Sequence, residues 1–357
     1  MEEFRYIPKK QLFDCSVSLD GAKKYFVWDG VPEGLPFEAA DPLDCSVDFR
    51  VSTRVQNISY APSESSKIKS TVIRPQDGEL VQVISVRVSP ARLSTRTVID
   101  CPSSGKYSVV LCCHTVGKER FSTDEQIEIH VNRGASLDLV VMQNENSLSR
   151  HASDYRIRLE EESSLSLNIV TIHAGNVSNR IHSLIAGKKA SCNLNGLYLA
   201  DGQQIVDTNI VLVHDAEESF SRQLFKGILD DNSKSRFEGE VVVSPAAQKT
   251  EAYQANNNLL VSDSARASSD PHLVIYADDV KCSHGSTAGS VGDEELFYMR
   301  SRGISEKEAR ILQQQAFAGA VLEKVSHPEL RDRLACLVEK RLRGEDTLCA
   351  GCSKGCC

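Results

Sequence analysis

The middle of the chain repeats itself. Ala135-Ser136-Leu137-Asp138-Leu139 returns as Ser163-Ser164-Leu165-Ser166-Leu167 and again as Ala190-Ser191-Cys192-Asn193-Leu194. The central positions lie 28 and 27 residues apart (165 − 137 and 192 − 165). A fixed period of this length signals stacked units, each burying its apolar face on its neighbours. Stepping on by the same interval reaches Phe220, Gln248 and Tyr276, and stepping back reaches Val109 and Val81. Within a unit the alternation has period two, with Leu165, Leu167 and Ile169 on one side and Ser166 and Asn168 on the other, as strands require. Turn residues separate these runs, as in Ala186-Gly187-Lys188-Lys189 and Ala200-Asp201-Gly202. A unit of this size has room for two strands and two turns, the coil of a flattened β-helix. Sandwiches also space their strands evenly, so the repeat favours a solenoid over them without excluding them.

The pattern changes after Ser283. Asp293 to Arg302 suits a short helix ended by Gly303, and Ser305 with Glu308 forms a capping box. Leu312, Ala316, Phe317, Ala320, Val321 and Val325 then make one helical stripe. His327-Pro328 restarts the chain, Leu330, Leu334, Leu337, Val338 and Leu342 make a second stripe, and Gly344 is a stop. Two such helices are expected to close the C-terminal side of the solenoid and cover an open sheet edge. The chain thus divides into a lead-in (1–75), a β-helix core (76–290), a helical segment (291–344) and a Cys-rich tail (345–357). The lead-in carries strand-like pieces, Lys24–Trp28 and Val47–Val51, split by Pro32, Pro36 and Pro42.

Composition narrows the function. Aromatic residues are 6% of the chain with a single Trp28, which argues against an aromatic nucleic-acid or sugar platform. A formal charge of −8 gives neither nucleic acid nor an anionic membrane a general footprint. No apolar run reaches the roughly 18 residues of a membrane span. The start, Met1-Glu2-Glu3-Phe4-Arg5, reads as no signal or transit peptide. The 12 cysteines are therefore expected to be reduced thiols in a cytoplasm. Those in apolar runs, such as Cys112, Cys113 and Cys192, read as small buried hydrophobes.

Several long stretches, in order, resemble the SufB/SufD family. They include Cys192–Leu199, Gln223–Leu229, Ala247–Thr250 continuing to Leu260, Tyr276–Gly285, Leu296-Phe297-Tyr298 and Ser301–Ile304. The resemblance covers about residues 105–343, and the Cys282-Ser283-His284 run is closer to the SufD branch than to SufB. It implies a right-handed parallel β-helix with a helical C-terminal segment, acting as a non-enzymatic scaffold for iron–sulfur cluster assembly. It further implies a SufB-like paralogue and SufC, an ABC-type ATPase, as partners. The nascent cluster would be shared at the interface through the histidine matching His284, and the helices matching about 304–343 would engage the ATPase. The family's N-terminal helical region is not evident here, and the tail lies outside the family pattern.

Cys282 and His284, one residue apart, share a side of any strand, and thiolate and imidazole both suit iron. The plainer reading makes Cys282 a buried hydrophobe and His284 a hydrogen-bonded terminal residue. Asp278-Asp279 offers paired carboxylates, or simply an acidic turn. Without a companion nucleophile or carboxylate pair the hydrolase reading is weak. No G-x-x-x-x-G-K-[ST] loop is present, so this chain is expected to bind no nucleotide. Cys349, Cys352, Cys356 and Cys357 place four thiols within nine residues, donors of the kind that hold zinc, an iron–sulfur species or persulfide. His114, His130, His151, His173, His182 and His214 read as solvated or satisfied, and Arg331, Arg333, Lys340, Arg341 and Arg343 as a solvated helix face. Two alternatives stand beside the scaffold: a polysaccharide-acting β-helix enzyme, and a purely structural homodimeric solenoid.

Overall fold

A computed structural model describes residues 19–38, 40, 43, 45, 69–290, 292–345 and 347. The expected strand at Val47–Val51 and the tail cysteines Cys349, Cys352, Cys356 and Cys357 lie outside the described residues. The chain forms a β-solenoid of about 8 turns with three C-terminal helices. Odd-numbered strands build one sheet, from β1 (Lys23–Trp28) through β5 (Leu80–Arg87), β7 (Lys106–Thr115), β9 (Ser136–Asn144), β11 (Ser164–His173), β13 (Ser191–Ala200), β15 (Phe220–Leu229) and β17 (Thr250–Leu260) to β19 (Val280–Gly289), with β2 (Val31–Glu33) outside β1. Even-numbered strands from β4 (Ser70–Ile73) build the other, through β8 (Ser122–Val131), β10 (Arg150–Leu159), β14 (Ile205–His214) and β16 (Lys234–Val243) to β18 (Arg266–Ile275), with β3 (Phe37–Glu38) outside β4. From β4 onwards successive strands of each sheet pair in parallel.

The repeat is the vertical register. Leu137, Leu165 and Cys192 stack directly, and their column continues through Ser221, Ala252 and Cys282. The interval of 28 therefore drifts: it lands on Phe220, Gln248 and Tyr276, one, four and six residues short. The connections explain the drift. Only residues 174–175 separate β11 from the next strand, whereas 201–204 and then 230–233 stand at the same corner in later coils. At another corner the chain turns through a left-handed residue followed by a small buried one. Gly134-Ala135, Glu162-Ser163, Lys189-Ala190 and Glu218-Ser219 all do so, and their amides bond from coil to coil, as from Glu162 to the Lys188 carbonyl at 2.9 Å. Gly134 takes this φ of 66° without strain.

The sheets enclose an apolar core that includes Ile99, Leu139, Tyr155, Leu167 and Leu194. A second apolar layer lies outside the odd-strand sheet, where Val110, Val140, Val170, Leu197 and Ile228 face away from the core. The helices α1 (Asp293–Ser301), α2 (Glu306–Leu322) and α3 (Pro328–Leu342) follow β19. Both stripes pack on that outer face, with Val321, Val325, Leu330, Leu334 and Leu337 buried there. The expectation that they would cap an open edge is thus corrected: a sheet face apolar on both sides must be covered, and α2 and α3 lie across β11, β13 and β15. The Ser305 side chain accepts from the Glu308 amide, but the Glu308 carboxylate turns away to pair with Arg343 through two 2.9 Å bonds. His327 caps α3 with Pro328 in its first turn.

Six cysteines, Cys45, Cys101, Cys112, Cys113, Cys192 and Cys282, are free thiols, and all but Cys282 are buried. Cys336 is disulfide-bonded, which departs from the expected reduced thiols at that position. Among the described residues no helix is long and apolar enough to cross a membrane.

Candidate functional site at the open end

The interior changes character toward the C-terminal end. Leu139, Leu167 and Leu194 stack in one inward column, and the same column continues as Gln223, Gln254 and His284. The next column runs Ile169, Gly196, Phe225, Asn256, Ser286. The Phe225 ring fills the space left by Gly196, where a Cβ would sit 2.3 Å from Phe225 Cδ1. Phe225 meets Phe237 of β16 across the solenoid, ring centroids 5.3 Å apart. Beyond this aromatic pair the interior is amide-rich. Gln254 Nε2 donates to Gln223 Oε1 at 2.8 Å, Asn258 Nδ2 to Asn256 Oδ1 at 2.8 Å, and Tyr198 Oη to Asn258 Oδ1 at 2.6 Å. Gln223 Nε2, Gln254 Oε1 and Asn256 Nδ2 are left without hydrogen bonds.

The last two strands end both sheets side by side. β18 and β19 pair inward with β16 and β17 and have no strand beyond them among the described residues. Cys282 and His284 lie on β19, opposite Ala252 and Gln254. Cys282 is half-buried against the core; burial pushes its thiol pKa up, against a backbone hydrogen bond with Ala252. His284 is exposed. Their shared inward side matches the one-residue spacing, and two residues of strand put them about 6.6–6.8 Å apart along the backbone. No third His, Cys, Asp or Glu donor joins them among the described residues. The pair alone supplies two donors, and a four-coordinate iron would need the others from elsewhere.

Asp278 and Asp279 take the plainer of their two readings. They form the exposed turn into β19, where the Asp279 carbonyl accepts from the Lys249 amide and its own amide donates to Gln248 Oε1. Some of the other histidines take the satisfied reading. His214, for example, is buried between the Ser219 and Ser221 hydroxyls at 2.7 and 2.8 Å.

One donor group escaped the sequence. Cys113, Glu125 and His151 come together in the first half of the solenoid, one ligand atom from each within 4.8 Å of the others. They are 12 and 26 residues apart in sequence (125 − 113 and 151 − 125) and lie on three strands. No local spacing announces them; only the coil register does.

A family model described as the SUF system FeS cluster assembly SufBD core domain matches residues 85–317. The chain belongs to this family. Similar proteins include the iron–sulfur cluster assembly protein SufD of Escherichia coli K12, 30% identical over 76% of this chain and 65% of that protein. A SufBD family protein of Synechocystis is 32% identical over 60% of this chain and 47% of its own length. Bacillus subtilis SufD is 28% identical over 40% of this chain and 32% of its own length. This SufBD chain therefore spans from a third to just under two thirds of the curated relatives it matches.

Proposed function

We propose that this chain is a SufD-type scaffold subunit, without catalytic activity of its own, that helps hold a nascent iron–sulfur cluster at the end formed by β18 and β19. The observation that carries the reading is the open end itself. Two ten-residue strands have no strand beyond them among the described residues, while His284 and Cys282 supply too few donors to complete a site. A SufB-like paralogue extending both sheets would satisfy the edges and bring the missing ligands. Unprotected edges of this length are ordinarily blunted or covered. Iron and sulfide are cargo here, and the chain's part is to position one imidazole and one thiol.

The helices suit the second partner, a SufC-like ATPase. Phe297 and Tyr298 of α1 are 75% and 60% exposed, and Leu312 of α2 is at the border of exposure. These exposed side chains on α1 and α2 are apolar and partly aromatic, the composition that anchors interfaces. No nucleic acid, membrane or nucleotide is required by this reading, and it fits a cytoplasmic protein. A homodimer through the same edges is the competing assembly. The polysaccharide-enzyme alternative gains nothing from Asp278 and Asp279, which serve the turn.

Anaerobic co-expression of the tagged chain with its host's SufB-like and SufC-like proteins tests the proposal. Size-exclusion chromatography should then show the three together with bound iron and sulfide, lowered by His284→Ala. A chain that elutes alone and metal-free, or a complex whose iron ignores His284→Ala, would sink it.

A further inference from the structure

Inside the N-terminal half of the solenoid, remote from β19, Cys113 of β7, Glu125 of β8 and His151 of β10 surround a cavity with room of about 40 Å³ for water-sized occupants. Cys113 is 5% exposed, and the side chains of Glu125 and His151 are 10% and 2% exposed. A fourth group, Glu145, follows β9 in the turn and is 1% exposed. It bonds His151 Nδ1 through Oε1 at 2.9 Å, while its Oε2 is left without a hydrogen-bond partner. His151 Nε2 faces Glu125 Oε2 at 3.3 Å.

That last distance is informative. Two ligands each about 2.0 Å from a tetrahedral ion are about 3.3 Å apart, the edge of the tetrahedron. A cation can therefore enter between Nε2 and Oε2 without moving either side chain far. The arrangement on the other ring nitrogen is the one metal-binding histidines use, a carboxylate holding Nδ1–H so that Nε2 points at the ion. Thiolate, imidazole and carboxylate together match the donor preferences of zinc.

We propose that Cys113, Glu125 and His151 form a mononuclear site for a divalent cation of the zinc class, with water in the fourth position and Glu145 as the positioning carboxylate. The site is separate from the Cys282–His284 end and does not rest on the scaffold reading. Its position, tying β7, β8 and β10 together, makes it a clamp on the early coils.

The test uses the full-length chain with Cys282 and the four tail cysteines replaced by serine, stripped with chelator and titrated anaerobically with Co²⁺ and Zn²⁺. One equivalent should bind with a single-thiolate charge-transfer band and a four-coordinate visible spectrum, and Cys113→Ser should abolish the band. Glu145→Gln should keep the band shape and weaken affinity about 10- to 100-fold, the usual effect of removing such a partner. Absence of the band in the parent, or its survival in Cys113→Ser, overturns the proposal. If Cys113→Ser does not fold, zinc-edge absorption on the parent decides: one sulfur among nitrogen and oxygen neighbours supports the site, and none, or two or more, overturns it.

Discussion

Replacing Gln223 and Gln254 with methionine, singly and together, asks what the polar interior near the open end costs the isolated chain. The two amides share one bond, Gln254 Nε2 to Gln223 Oε1 at 2.8 Å, and leave Gln223 Nε2 and Gln254 Oε1 buried and unpaired. The shared bond contributes about 1 kcal/mol net, while each orphaned group costs about 1–3 kcal/mol. Methionine keeps the length that fills the space over Gly239, where Gln254 Nε2 lies 2.0 Å from a built Cβ. Gln254→Met alone exchanges one orphan for another and loses the bond, so it should destabilise by about 1 kcal/mol. Gln223→Met should do the same by symmetry. The double variant removes both orphans and should be at least about 1 kcal/mol more stable than the natural chain, an interaction energy of about 3 kcal/mol between the sites. Because stacked coils can unfold piecewise, urea melts should be read beside hydrogen exchange of the β15 and β17 amides. Additive destabilisation in the double variant would refute the reasoning, since it would mean the amides are no worse than an apolar pair.

Other perturbations probe other links. Burial pushes the pKa of His214 down to about 3 and that of His182 to about 4, so both are neutral when folded. The unfolded chain protonates them near pH 6.5. Stability should therefore fall as pH drops below about 6.5, by up to about 1.4 kcal/mol per unit for each histidine, until the folded values are reached. His214→Gln should flatten the melting-temperature slope between pH 7 and 5, and an unchanged slope would dismiss this origin. Arg96 and Glu128 form a buried pair at 2.8 and 3.0 Å, each side chain 1% exposed. Arg96→Met should cost about 3–5 kcal/mol in a urea melt by removing the guanidinium that offsets the buried carboxylate charge, and a loss under 1 kcal/mol would contradict that. Gly196→Ala should cost about 1–3 kcal/mol through the clash with Phe225, and Phe225→Leu should restore part of it; equal melts for the natural and alanine chains would deny the contact.

Much of the fold can be read from the residues because the solenoid repeats one short-range rule. Period-two alternation puts Leu165 and Leu167 inward, and small residues after each corner allow the turn. Local chemistry likewise fixes the helix ends at Gly303, Ser305, His327 and Gly344. What escapes is what depends on summed loop lengths and on faces. Two extra residues at one corner, 201–204 against 174–175, are enough to slip the arithmetic and turn Phe220 to the other face of its strand. The docking of α2 and α3 on a sheet face was foreshadowed by consecutive apolar residues such as Val140-Val141-Met142, which a strand buried on one side only does not need. The Cys113 cluster was hidden for a related reason, since three coils must be stacked in register before its donors meet. The spacing of Cys282 and His284 was enough to put them on one side of one strand, while their ligand role came only from the resemblance.

The open end and the covered face argue the same point from opposite directions. Where the odd-strand sheet is apolar outside, the chain supplies its own cover in α2 and α3. At β18 and β19 no strand among the described residues does so, although the helices follow β19 immediately. The strands themselves are built against self-sufficiency: Pro271 interrupts β18, Gly285 and Gly289 loosen β19, and the inward columns turn from leucine to glutamine, asparagine and histidine. An end designed to face water would carry alternating charges, and an end designed as core would stay apolar. Amides with unpaired groups fit neither, but they do fit a surface to be joined by another coil whose polar atoms complete the network. On the proposed scaffold reading, the stability forgone at Gln223 and Gln254 and the incomplete donor set at His284 have one cause: the last coil is half of an interface.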